Sequence, residues 1–214
     1  LHAVVINPGP SLTYLTGLNF HLSERQTVLI VKPKENSIVL PRLESLKLND
    51  SSIELTPYLY GDDPAEWQSV FSAAVSGSKL TDSRVGVEPT QMRYLELQYL
   101  QAANGSNQFV SAANLFANLR MSKDDEEIAS MRKAAVIAQE ALTDTLKTLK
   151  LGMTEVEIAA VLTIQLLKHG SQPELPFQPI VASGPNSANP HAAPTDRKLQ
   201  AGDFLLFDYG ARFN

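Results

Sequence analysis

Asp208 closes the apolar run Phe204-Leu205-Leu206-Phe207 and precedes Tyr209-Gly210. Side chains alternate across a strand, so Asp208 shares a face with Phe204 and Leu206. An ionised carboxylate among apolar neighbours is costly unless it is paired, hydrogen-bonded or bound to a metal. Upstream, His191 lies in Asn189-Pro190-His191-Ala192-Ala193-Pro194, where the prolines restrict the backbone around it. An imidazole held in that way suits proton transfer near neutral pH. From the residues alone, Asp208 is either a strand-end carboxylate held by backbone donors or an arginine, or a metal ligand. His191 is either a plain surface histidine or a catalytic one. His2, His21 and His169 fall in separate segments with no metal-like spacing to a second ligand, and His169 reads as a cation at a helix C-terminus. Asp196, Arg197 and Asp203 read as turn and pairing residues, and Trp67, the only tryptophan, as a core or interface residue. No Gly-rich phosphate loop is present and no serine nucleophile stands out.

The elements that must position these residues fall into two groups. In the first, His2 to Ile6 reads as a strand, Ser11 to Gly17 as a short helix, and Thr27 to Lys32 with Ser37 to Leu40 as a hairpin. Pro64 to Val75 reads as a helix opened by proline. Arg84 to Val87 is a strand, Thr90 to Ala103 a helix facing inward through Leu95, Tyr99 and Ala102, and Phe109 to Ala112 a last strand. Alternating strands and helices predict an α/β (α+β) domain with a mixed sheet and flanking helices. A boundary follows near Leu119 to Lys123. Beyond it, Ser122 is the expected N-cap of a long helix whose first turn carries Asp124, Asp125, Glu126 and Glu127. Ile128, Met131, Ala135, Ala138, Leu142, Leu146 and Leu149 recur along it at helical spacing, and Gly152 stops it. Thr154 and Glu157 form a capping-box pattern for a second helix with Ile158, Val161, Leu162 and Leu166 on its apolar face. Strands over Phe177 to Ala182 and Phe204 to Tyr209 follow, separated by a proline-rich loop.

The chain has 214 residues, enough for two domains, with 43% hydrophobic and 19% charged residues. A net charge of -5 and the lack of any basic run argue against nucleic acid or an anionic membrane as partner. There is no cysteine, hence no disulfide framework and no thiolate nucleophile or ligand, which fits a cytoplasmic protein. No stretch approaches the roughly 20 apolar residues of a membrane helix, and the start Leu1-His2-Ala3-Val4 does not read as a signal peptide. The absence of an initial Met and the abrupt end at Asn214 lead to the expectation of a fragment.

Two segments resemble a known family. Pro185-Asn186-Ser187-Ala188-Asn189-Pro190-His191-Ala192-Ala193-Pro194-Thr195-Asp196-Arg197 and Gly202-Asp203-Phe204-Leu205-Leu206-Phe207-Asp208-Tyr209-Gly210-Ala211 are similar to the pita-bread metallopeptidases. That group includes aminopeptidase P, prolidase, methionine aminopeptidase and the related creatinase. Arg120 to Lys123, Glu127-Ile128 and Met131 to Ala134 resemble its linker and first helix, and Gly152-Met153-Thr154-Glu155 the start of its second. Tyr14-Leu15-Thr16-Gly17 resembles a motif of the N-terminal domain carried by the Xaa-Pro-cleaving and creatinase branches.

The resemblance implies a creatinase-like N-terminal domain over 1–120 and the first portion of a pita-bread catalytic domain over 121–214. It implies two divalent metal ions, chiefly Mn²⁺ with Co²⁺ or Zn²⁺ as alternatives, bound by two Asp, one His and two Glu side chains. Such a pair supplies a hydroxide near neutral pH and polarises the scissile carbonyl. Asp208 falls on the first of those ligands, and His191 on a histidine that is not a ligand but lies beside the substrate. The implied activity is removal of the residue preceding proline, from a dipeptide or a longer peptide, by a homodimer. The remaining ligands are expected beyond Asn214, so the 214 residues alone should be inactive. A creatinase-like, metal-independent amidinohydrolase and a non-catalytic peptide- or partner-binding protein are the alternatives. Asp208 counts against the first of them.

Overall fold

The structure is a computed structural model that describes residues 1–213; Asn214 lies outside the described residues. The chain forms two compact units, Leu1–Ser122 and Lys123–Asn214.

The first unit is built on a six-stranded mixed sheet. Strand β1 (Ala3–Ile6) leads through α1 (Pro10–Thr16) to the hairpin of β2 (Val28–Val31) and β3 (Asn36–Pro41). A 3-10 segment, Arg42–Asp50, then reaches β4 (Thr56–Tyr60), which α2 (Pro64–Gly77) follows. Strand β5 (Arg84–Val87), α3 (Tyr94–Ala103), β6 (Gln108–Ser111) and α4 (Ala113–Met121) complete the unit. The sheet order is β4-β3-β2-β1-β5-β6. Strand β2 runs antiparallel to both β1 and β3, whereas β4, β5 and β6 each pair in parallel. Alternation gives the sheet two apolar faces. Val5, Val28, Ile30, Val39 and Val85 meet Phe71, Ala74 and Leu100 of α2 and α3, while Ile6, Leu29, Ile38 and Leu40 meet Leu12 of α1 and Phe116 of α4.

The Tyr14-Leu15-Thr16-Gly17 motif has a structural role. Thr16 Oγ1 donates to the Leu12 carbonyl at 2.8 Å and accepts from the Leu18 amide at 3.1 Å, and Gly17 closes the helix at φ 72°. Trp67 is half-buried against that core, 5.3 Å from the Tyr60 ring, and donates to the Gly61 carbonyl at 3.1 Å. Helix α3 departs from expectation. The backbone turns at Glu88 before it, and its inward face is Glu96, Leu100 and Tyr99, leaving Leu95 exposed. Strand β4 and helix α4 are the elements that the hydrophobic pattern did not reveal.

The second unit pairs α5 (Asp125–Thr148) and α6 (Glu155–Lys168) with an antiparallel hairpin of β7 (Ile180–Ser183) and β8 (Leu205–Asp208). Its core is Ala141, Ile158, Leu162, Leu166 and Val181, joined by Leu205, Phe207 and Tyr209. The N-cap of α5 is Asp124, not Ser122. Asp124 and Glu127 form a reciprocal capping box, and Ser122 instead closes α4. The buried stripe of α5 is also rotated from expectation, running through Ile137, Ala141 and Thr145, with Ile128, Met131 and Leu146 exposed. The Thr154–Glu157 capping box forms as expected at α6. His169 ends that helix, its ring within 3.3 Å of Glu140 and 3.0 Å of Asp144 on α5.

Candidate functional site

In the hairpin, Asp208 stands opposite Ile180, and Ser183 stands opposite Leu205 at the other end. The loop bearing His191 leaves from that second end. Leu205 and Phe207 turn toward the helices, which sends Phe204, Leu206 and Asp208 to the other face. That face is open: Phe204 is 85% exposed, Leu206 37%, and Asp208 is exposed as well. Asp208 thus shares a face with Phe204 and Leu206, as alternation requires, and within these residues that face is uncovered. The odd-numbered side of the strand is the packed one, where Leu205 and Phe207 join the core of Ala141, Ile158, Leu162, Leu166 and Val181. The His191 ring is exposed too, and its backbone N–H donates to Asn189 Oδ1 at 3.0 Å. No hydrogen bond among the described residues joins His191 to Asp208. Nor do the described residues gather three or more His, Asp or Glu side chains that could hold a metal ion. Asp208 offers oxygen donors suited to a hard divalent cation, but a single carboxylate does not make a two-metal cage. These residues do not by themselves fit the metal centre that the sequence resemblance implies.

The most organised polar group in the second unit is Glu155, which the sequence reading placed in the Gly152–Glu155 motif without giving it a role of its own. It is the first residue of α6 and is fully buried. Its Oε1 accepts from the Ser183 amide at 2.6 Å, Ser183 Oγ at 2.8 Å and Asn186 Nδ2 at 3.2 Å. Its Oε2 accepts from Asn186 Nδ2 at 3.0 Å, the Thr195 amide at 3.0 Å and Thr195 Oγ1 at 2.7 Å. Burial alone pushes this carboxyl up, but the donors from Thr195, Ser183 and Asn186 outweigh it and hold the group at about 2. The first turn of α6 adds two more bonds. The Glu155 and Val156 amides, free of helical partners at that position, donate to the carbonyls of Arg197 and Thr195 at 3.1 and 3.2 Å. In the sequence, Glu155 looks like any acid in a first turn. Its partners lie 28 to 40 positions away, and no local signal marks them.

Arg197 and Asp203 extend this network. The guanidinium bonds both Asp203 oxygens, at 2.7 and 2.9 Å, and also Ser183 Oγ at 2.6 Å. Gly184 fits beneath the pair at φ +49°, where a Cβ would come within 2.6 Å of Arg197 Nη2 and Asp203 Oδ1. Arg197 raises no demand for a free anion, because Asp203 is its partner and is itself held low by that pairing.

Both units match known families. Residues 1–122 match the model described as the creatinase/prolidase N-terminal domain, and residues 129–214 match metallopeptidase family M24. This chain belongs to the creatinase/prolidase family. Among proteins similar to it is one named "Probable dipeptidase PepE" from Mycobacterium tuberculosis, 32% identical over 220 residues, covering 100% of this chain and 56% of that protein. The solved dipeptidase of Pyrococcus horikoshii OT3 matches with a TM-score of 0.84 at 31% identity, over 100% of this chain and 58% of its own. The solved prolidase of Thermococcus sibiricus matches with a TM-score of 0.86 at 28% identity, over 100% of this chain and 57% of its own. The chain thus spans about half the length of the curated relatives it matches. The creatinase/prolidase assignment agrees with the mixed α/β architecture and with the start of a pita-bread domain in the second unit.

Proposed function

We propose that this chain supplies the N-terminal domain (1–120) and the opening portion of the catalytic domain (121–214) of a metal-dependent Xaa-Pro peptidase. The single observation that supports this most is the end-to-end similarity to a solved prolidase and a solved dipeptidase, across both units and in the same order. In this reading Asp208 is one metal ligand, and its exposed position on the open face of β8 leaves its oxygens accessible to a cation. His191 stands beside the substrate, on a loop shaped by Pro190 and Pro194, and moves protons around the scissile bond. Bound divalent metal, Mn²⁺ foremost, would supply a nucleophile and polarise the carbonyl. The 214 residues alone are inactive in this reading, since one carboxylate is insufficient for the metal pair. The substrate is a peptide or dipeptide with proline second, and the working form is a cytoplasmic homodimer. Among the described residues no helix is long and apolar enough to cross a membrane.

The test is hydrolysis by the full-length protein of Xaa-Pro dipeptides, of longer Xaa-Pro peptides and of dipeptides lacking proline. Each is assayed after chelation and after return of Mn²⁺, Co²⁺ or Zn²⁺. Cleavage before proline that disappears on chelation and returns with metal is expected. Activity that is indifferent to chelation, or absent with every metal, defeats the proposal.

A further inference from the structure

The His191 loop is closed by one carboxylate. Ser183 and Asn186 reach Glu155 from the β7 side of the loop, and Thr195 reaches it from the other side. Asn186 Nδ2 also donates to Thr195 Oγ1 at 3.2 Å, across nine positions of chain. Glu155 stands on a rigid base, the capped first turn of α6, whose next turns bury Ile158 and Leu162. From Asn186 the bonds continue inward along the loop. Its carbonyl accepts from the Asn189 amide at 3.1 Å, the Asn189 carbonyl accepts from the Ala192 amide at 3.2 Å, and Asn189 Oδ1 accepts from the His191 amide. Ala192, next to His191, is buried, so the backbone there is seated rather than free. The bonds from Ser183, Asn186 and Thr195 end on the Glu155 carboxylate, and those of Asn189, His191 and Ala192 lie within the loop that these frame. A carboxylate is the one side chain that can accept this many bonds from both directions, since it brings two oxygens and no donor.

We propose that Glu155 is the positioning residue for His191: it fixes both ends of the loop against α6 and thereby sets where the imidazole stands. It touches neither substrate nor metal in this assignment. The functional half of the inference rests on the proposed role of His191; the anchoring half does not. Removing a placement device of this kind costs turnover more than binding, because misplacing a proton-transfer group by about 1 Å can lower the rate on the order of 100-fold.

The experiment compares the full-length protein with Glu155→Gln, Thr195→Val and Thr195→Ser. The first variant keeps the shape of Glu155 but replaces one accepting oxygen by a donor. The second keeps the size of Thr195 without its hydroxyl, and the third keeps the hydroxyl. Hydrogen–deuterium exchange is followed over residues 183–197 and over α5, and kcat and KM are measured on an Xaa-Pro dipeptide. In Glu155→Gln, exchange over 183–197 is expected to rise on the order of 10-fold or more, the loss of a charge-assisted bond, with α5 unchanged. Turnover should fall roughly 100-fold with little change in KM. Thr195→Val should show the same pattern more weakly, and Thr195→Ser should behave as the unsubstituted protein. Unchanged exchange over 183–197 in both Glu155→Gln and Thr195→Val overturns the inference. So does a loss of kcat matched by equal loss of protection in α5, which would mean general unfolding. If the unsubstituted protein has no peptidase activity, the proposed function fails, and the exchange data still decide whether Glu155 anchors the loop.

Discussion

Replacing Glu155 by Gln should remove a defined piece of the acid dependence of stability. In the folded chain, burial opposes ionisation of this carboxyl. The donors from Thr195, Ser183 and Asn186 reverse that effect and bring it from 4.5 to about 2. Each factor of ten in proton affinity is worth about 1.4 kcal/mol, so the difference amounts to ~3 kcal/mol of folding free energy. The sign follows from the depressed value. The contribution is complete above the unfolded value of 4.5 and disappears as pH falls from there toward about 2. Arg197, which bonds Ser183 Oγ, is the cation facing this site, and Asp203 neutralises it; both are present in either protein and drop out of the comparison. Urea unfolding followed by far-UV circular dichroism between pH 7 and pH 2 measures the effect. Trp67 fluorescence reports the first unit separately. Glu155→Gln should be less stable than the unsubstituted protein at pH 7, with the gap narrowing by ~3 kcal/mol toward pH 2. Parallel stability curves for the two proteins would show that folding leaves the proton affinity of Glu155 unchanged, and the reasoning would fail.

Three further outcomes are expected. Gly184→Ala places a side chain in the left-handed region and against the Arg197–Asp203 pair, and should destabilise by roughly 2 kcal/mol or more in a thermal melt. Leu162→Ala, at a fully buried core position of α6, should cost about 2–5 kcal/mol by denaturant titration, and a cost under about 1 kcal/mol would contradict the packing described. Asp208→Ala in the full-length protein should lower the metal content measured by elemental analysis and abolish metal-dependent hydrolysis before proline. Unchanged metal content would remove Asp208 from the ligand set.

Much of the fold could be read from local pattern because its causes are local. The Thr154–Glu157 capping box, the proline at the start of α2, the glycine closing α1 and the β2–β3 hairpin each depend on residues within a few positions of one another. Ser122 misled because the true cap, Asp124, also begins a run of acids, and a serine two places earlier looks equally suitable. Strand β4 escaped notice because Thr56-Pro57-Tyr58-Leu59-Tyr60 carries a proline, which an edge strand tolerates and a central one does not. The buried stripe of α5 was misplaced because several apolar registers fit that helix, and contact with α6 selects the one through Ala141.

The candidate site divides in the same way. Residue type and order were enough to single out His191 and Asp208 and to connect them with a peptidase family. Alternation was enough to put Asp208 beside Phe204 and Leu206. Which side of β8 is covered depends on the packing of Leu205 and Phe207 against a core whose helical residues, Ala141 to Leu166, come much earlier in the chain. Glu155 is the clearest case of a role set by tertiary structure. Its neighbourhood in sequence, Gly152 to Glu155, marks the start of a helix but not a buried charge; Glu155 becomes a buried anion only when β7 and the His191 loop bring their donors to the start of α6. A short-range pattern encodes what a segment prefers by itself, whereas a buried charge exists only where distant segments meet to satisfy it.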